Sequence, residues 1–174
     1  VDVHASFLKS PADLTSEIRP ELFTIAGIKS AIQPTSTTVP LFKELVIKTG
    51  DNKTLSFTGF TEIFFPAFFT PQQTINFEND FTFVSYTNKA GTWLGFAAKL
   101  KDSSDIAFVQ SQLNGFQAEP TIKDFYLSSP GNQLSWKDGK VANRAASVLE
   151  FSTRGTEFVY VWFDRYLIMS TSIE

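Results

Sequence analysis

Few side chains in this sequence carry reactive chemistry. His4 is the only histidine among 174 residues, and there is no cysteine. An imidazole base, a histidine-ligated metal or a proton relay would each have to run through His4. N-terminal segments fray unless tied down, so His4 reads as a surface or edge-strand residue. Without cysteine there is no disulfide, thiolate nucleophile, zinc ribbon or iron–sulfur ligand. Asp102 and Asp105 come closest to a carboxylate pair, but both sit where a helix should begin and where negative charge suits the dipole. No D-x-D-x-D-G, H-E-x-x-H, G-x-S-x-G, G-x-x-x-x-G-K-[ST] or G-x-G-x-x-G pattern occurs. Asn52-Lys53-Thr54 matches a glycosylation acceptor in a turn, and Lys137-Asp138-Gly139-Lys140 reads as a solvated turn. We therefore expect no catalytic residue, no metal site, no cofactor and no enzymatic activity.

Aromatic residues are the compositional outlier, with 19 Phe, 4 Tyr and 3 Trp. Phe57, Phe60, Phe64 and Phe68 recur at helical spacing, and Pro66 should end or kink that helix. Phe65 and Phe69 fall one position on, rotated by about 100°. Two readings stay open. The segment is plain core, in which rings supply burial and edge contacts. Alternatively, Phe60, Phe64, Phe65, Phe68 and Phe69 line a cavity or groove for an apolar ligand or a partner. Phe57, Phe60, Phe64 and Phe68 are expected in the core, and Phe65 and Phe69 are the rings expected to meet a second element, a partner or a ligand. A second aromatic set, Trp93, Trp136 and Trp162 with Tyr86, Tyr160 and Tyr166, admits a sugar-stacking platform. Tyr160 and Trp162 would share one face of a strand. Cross-strand packing under helices is the alternative.

These residues need elements to position them. Hydrophobic residues make up 43% and charged ones 19%, a globular composition. Fifteen basic against eighteen acidic residues give a net charge of −3, which argues against a nucleic-acid partner. No run reaches the roughly 20 apolar residues of a membrane span. Residues 1–40 read as an irregular Pro/Ser/Thr-rich segment, with a short helix over 11–18, a strand over 23–28 and a turn capped by Thr38. Residues 45–57 read as a hairpin around Gly50-Asp51-Asn52-Lys53, and 70–80 as a polar loop. Residues 81–87 and 92–100 form the clearest hairpin. A helix capped by Ser103 or Ser104 follows, carrying Ile106, Val109 and Leu113 and ending at Gly115. A second short helix is placed over 119–127. Asp138-Gly139 should be a tight turn, 145–152 a strand, and 157–163 with 166–171 a last hairpin. Ser172 looks like the cap of another helix. Residues 80–86 echo 157–163, which suggests a duplicated β-β-α unit or two aromatic hairpins without common ancestry.

Three stretches carry a resemblance: Phe81–Tyr86, Trp93-Leu94-Gly95-Phe96-Ala97-Ala98-Lys99-Leu100-Lys101-Asp102, and Tyr166-Leu167-Ile168-Met169-Ser170-Thr171-Ser172. The chain resembles, over about 41–174, uncharacterised membrane-anchored extracytoplasmic bacterial proteins carrying domains of unknown function. The resemblance implies an α+β domain outside the cytoplasmic membrane and transfers no activity or site residue.

The expected fold is α+β: a mostly antiparallel sheet of about five to seven strands with two to four short helices on one face, in a single domain over 41–174. The chain begins at Val1 and its only methionine is Met169, so it is expected to be a processed or excised part of a longer protein. The expected function is a non-enzymatic extracytoplasmic scaffold or protein-interaction module, with protein contact or self-association. A carrier of lipid or another apolar small molecule is the alternative.

Overall fold

In the computed structural model, residues 1, 3–32 and 40–173 are described. They build one eight-stranded sheet, larger than the five to seven strands expected, in the order β1-β2-β3-β4-β8-β7-β6-β5. The strands are β1 (Leu14–Ile18), β2 (Leu41–Ile47), β3 (Phe77–Asn88), β4 (Gly91–Leu100), β5 (Gln133–Val141), β6 (Arg144–Phe151), β7 (Glu157–Phe163) and β8 (Tyr166–Ser170). All neighbours pair antiparallel except β1 and β2, which run parallel. The helices are α1 (Ile25–Ala31), α2 (Phe57–Phe64), α3 (Pro71–Thr74) and α4 (Ile106–Gln112), with 3-10 turns over Leu113–Ala118 and Ile122–Phe125.

The sheet is two meanders joined at a seam. β2-β3-β4 is one and β5-β6-β7-β8 the other, each built of chain neighbours. β4 and β8 close the seam, with Gly95 opposite Ser170 and Ala97 opposite Ile168. Two of the three predicted hairpins hold: Phe83 pairs with Phe96 and Val161 with Ile168. The echoing strands β3 and β7 flank the seam symmetrically. The first hairpin leads into α4; after the second, Thr171–Ile173 are not helical.

Two elements inside the segment read as irregular differ from expectation. Residues 14–18 are strand rather than helix. The β2 edge supplies their hydrogen-bond partners, from Leu14 opposite Lys43 to Ile18 opposite Ile47. Residues 25–31 are helix rather than strand. Thr24 caps α1 by accepting from Gly27 N at 3.0 Å, and Ile28 is buried. A parallel pair needs a crossover between its strands, and α1 lies in that connection. The turn assigned to Thr38 falls outside the described residues, while Leu41 and Phe42 open β2.

Further along, the 45–57 hairpin shrinks to one bridge, Lys48 with Thr54, before α2 begins. Residues 71–74 of the expected loop form α3. Asp105, not Ser103 or Ser104, caps α4 and accepts from Phe108 N at 3.1 Å. Gly115 does not stop the chain from winding; it sits inside a 3-10 turn, where a Cβ would come within 3.4 Å of the Phe68 ring. Asp138-Gly139 lies mid-strand, and the β5–β6 turn is Ala142-Asn143, with φ of 47° and 64°. Two left-handed residues make the hairpin turn that matches strand twist.

The core lies between the sheet and the helices. α2 presents Phe57, Phe60 and Phe64 to the sheet, where Phe60 meets Phe81, Phe83 and Phe96 at centroid distances of 4.6, 5.1 and 5.4 Å. No helix among the described residues is long and apolar enough to cross a membrane.

Candidate functional site

The Phe-rich segment folds inward almost completely. Phe60, Phe64, Phe65 and Phe69 are buried, and only Phe68 is half-exposed. Phe65 and Phe69 are therefore not turned out of the core. The helical rotation argument stops applying at Pro66, since α2 ends with Phe65 as its C-cap at φ −137° and ψ 52°. The chain then turns back under the 3-10 turns. Phe65 meets Phe125 and Phe116 at 5.2 and 5.4 Å, and Phe69 meets Phe57 at 5.5 Å. The second elements these two rings face are the protein's own.

Two polar side chains repair the broken helix. Thr121 Oγ1 donates to the Phe64 carbonyl at 2.6 Å, and Glu119 Oε2 accepts from Phe68 N at 2.8 Å. Glu119 is only 2% exposed. Sequence reading did not single out either residue, because each lies more than fifty positions from its partner.

The open surface is the other face of the sheet, which carries no helix among the described residues. Strand alternation places Val84 and Tyr86 of β3, Gly95 and Ala97 of β4, Val159, Val161 and Phe163 of β7, and Ile168 of β8 on it. Ala146, Val148, Val159 and Val161 form a second apolar cluster there, separate from the main core. A groove of about 270 Å³ runs along it, lined by Val141, Val161, Phe163, Ile168 and Ile173 among others. A neighbouring groove of about 320 Å³ is lined by Phe42, Val84, Tyr86 and Trp93. The two share Phe42, Val84, Gly95, Ser170 and Ser172. They form one apolar trough across the seam. Gly95 keeps its floor low, as a Cβ there would stand 3.0 Å from the Met169 carbonyl.

An N-terminal strap closes part of this face. Ala5 N donates to Asp80 Oδ2 and Phe7 N to Thr82 Oγ1, each at 2.7 Å. The Phe7 ring meets Tyr166 edge-on at 5.5 Å, and Leu8 lines the groove of about 270 Å³. His4 fastens the strap. Its Nδ1 lies 2.7 Å from Asp80 Oδ1 and its Nε2 3.1 Å from Glu44 Oε1, so it is neither a free surface residue nor part of an edge strand. The Asp80 hydrogen bond, against the opposing effect of burial and with help from Glu44, raises the imidazole above its ordinary 6.5. Burial alone would raise Asp80, but its hydrogen bonds with His4 and Ala5 N outweigh that and hold the carboxyl below 3.8.

The aromatic set divides between the faces. Tyr86, Trp93 and Tyr166 lie on the helix-free side, with Tyr86 opposite Trp93. Trp136, Tyr160 and Trp162 lie on the helix side and pack against the main core. Asp102 and Asp105 do not form a site: Asp105 is a cap, and Asp102 stands 4.0 Å from Arg165. Comparison with family models, characterised proteins and solved structures finds no match to this chain.

Proposed function

We propose that this protein is a non-enzymatic interaction module of an extracytoplasmic or envelope protein, and that the helix-free face is its contact surface. The apolar trough across the β4–β8 seam carries this reading. Sheets of this kind bury both faces or solvate one, and a contiguous apolar patch on an exposed face is a hallmark of an interaction site. The half-buried side chains of Phe163 and Ile168 sit beside buried Val161, giving a rigid apolar floor with accessible anchors. A carrier of an apolar ligand is the second reading, supported by the same trough and no longer by a Phe-lined cavity.

Site-directed photo-crosslinking in cells of the source separates these readings. A benzoyl-phenylalanine at position 163 should capture a protein that the same probe at Phe108, exposed on the helix side, does not, and Ile168→Glu should abolish capture. Equal capture at 108 and 163 would sink the contact-face reading. Native mass spectrometry showing a stoichiometric lipid lost in Ile168→Glu would favour the carrier.

A further inference from the structure

On the helix side, β5, β6 and β7 extend past the end of α4 and leave a cleft of about 400 Å³. Tyr160 and Trp162 of β7 form one wall, Ser147 of β6 and Asp138 of β5 the floor and far side, and Gln110 of α4 with Asn114 of the following 3-10 turn the near rim. We infer that this cleft binds a neutral saccharide.

A sugar presents an apolar C–H face and a rim of hydroxyls, each both donor and acceptor. It needs aromatic plates already fixed in place beside short polar groups not committed elsewhere. Tyr160 is only 5% exposed, so half-buried Trp162 is the accessible plate, and both rings are fixed by packing. Tyr160 lies 5.5 Å from Trp136 and 6.0 Å from Phe116, and its oxygen accepts from Gln117 Nε2 at 3.3 Å, leaving its own O–H free to donate. Trp162 stacks on Phe77 with the planes 18° apart. Rings held this way lose little rotamer freedom on binding. Among the described residues, the side chains of Gln110, Asn114, Asp138 and Ser147 bond to no other protein group, so two carboxamides, a carboxylate and a hydroxyl face the cleft uncommitted.

Charge narrows the ligand class. Arg144 borders the cleft, but its guanidinium is engaged by Asp164 at 3.3 Å and lies 5.4 Å from the Phe163 ring. A phosphorylated or uronic ligand would meet Asp138 with no free guanidinium to offset it. A purely apolar ligand would strip water from four polar groups and return nothing. The size suits one or two sugar rings within the usual range of ligand pockets. This inference stands independently of the contact face, which lies on the opposite side of the sheet.

The test is a heteronuclear NMR titration of the whole chain with the methyl glycosides of glucose, galactose, mannose and N-acetylglucosamine. The three indole N–H signals serve as reporters. At least one glycoside should shift the Trp162 indole and the Ser147 amide saturably while leaving Trp93, on the other face, unmoved. Trp162→Ala and the exposed-site change Asp138→Asn should each weaken that binding about tenfold. Because Trp162→Ala alters packing, Asp138→Asn carries the decision. Absence of a saturable shift with all four glycosides, or undiminished affinity in Asp138→Asn, would overturn the inference.

Discussion

Phe65 and Phe68 differ by three positions and belong to different environments. Phe65 is sealed among Phe116, Phe125 and Phe158, whereas Phe68 reaches solvent beside Gly115. Truncating a buried Phe costs about 3–5 kcal/mol. Phe65→Ala should fall in that range and Phe68→Ala well below it, as urea denaturation will report. Equal losses would mean that Phe68 is core as well. The helical period predicted the burial of Phe57, Phe60 and Phe64 and misplaced Phe65, Phe68 and Phe69, because periodicity has no meaning beyond the proline that ends the helix. His4 was illegible for another reason: Glu44 and Asp80 are 40 and 76 residues away. Protonated, its two N–H groups serve both carboxylates; neutral, it has one N–H and must abandon one of them. Its folded pKa is raised, so its stabilising effect is complete below pH 6.5 and is lost as pH rises through the folded value. Asp80, held below 3.8, contributes above that pH and loses its effect on further acidification. The stability difference between the wild type and His4→Gln should thus be largest between about pH 4 and 6.5 and shrink towards pH 9. An NMR titration should give His4 a midpoint above 6.5 that drops in Asp80→Asn. A midpoint at or below the ordinary value in the wild type would refute the latch geometry.

At the scale of elements, the break after α2 is where local sequence and tertiary structure meet. Pro66 ends the helix, so the Phe64 carbonyl and the Phe68 N–H, which a continuing helix would pair with each other, lack helical partners. Thr121 and Glu119 satisfy them from the stretch between the two 3-10 turns. Leaving a buried amide unpaired costs about 1–3 kcal/mol. Glu119→Ala should lose that much in thermal unfolding and Glu119→Gln clearly less, since its amide oxygen still accepts. Equal losses would assign the effect to charge rather than to the Phe68 bond. The hairpins were legible because two-residue turns and alternation are local signals. The α1 cap was present in the sequence too, with Thr24 ahead of Ile25, Ile28 and Ile32, but it was outweighed by the β-branched residues around it. β1 carried no such signal, as Leu14–Ile18 becomes a strand only because the β2 edge is there to pair with it. The turn at Ala142-Asn143 was masked by Asp138-Gly139, although only the former allows β5 and β6 to run for nine and eight residues.

The whole molecule has an unequal sandwich: helices on one face, a single strap on the other. The expected α+β class with a mostly antiparallel sheet was legible from the hairpins. The helix-free trough was not, because it exists only once β4 and β8 lie side by side. Removing residues 1–8 takes away Phe7, Leu8 and the His4 latch together while leaving the helix-side core intact. The shortened chain should fold with unchanged far-ultraviolet dichroism yet bind anilinonaphthalene sulfonate more strongly than the full chain; unchanged dye binding would show that the strap does not shield the face. The seam has a consequence for how the protein is made. β2-β3-β4 leaves the ribosome complete as a meander, but the strand that pairs with Gly95–Lys99 is Tyr166–Ser170, which follows only after α4, β5, β6 and β7. Until β8 has emerged, then, the apolar margin Gly95-Phe96-Ala97-Ala98 is an open strand edge, of the kind that recruits other nascent chains. Ribosome-stalled chains ending at residue 164 should be digested by protease at β4 and be held by chaperones, and a few residues beyond Ser170, once clear of the exit tunnel, should suffice to protect them.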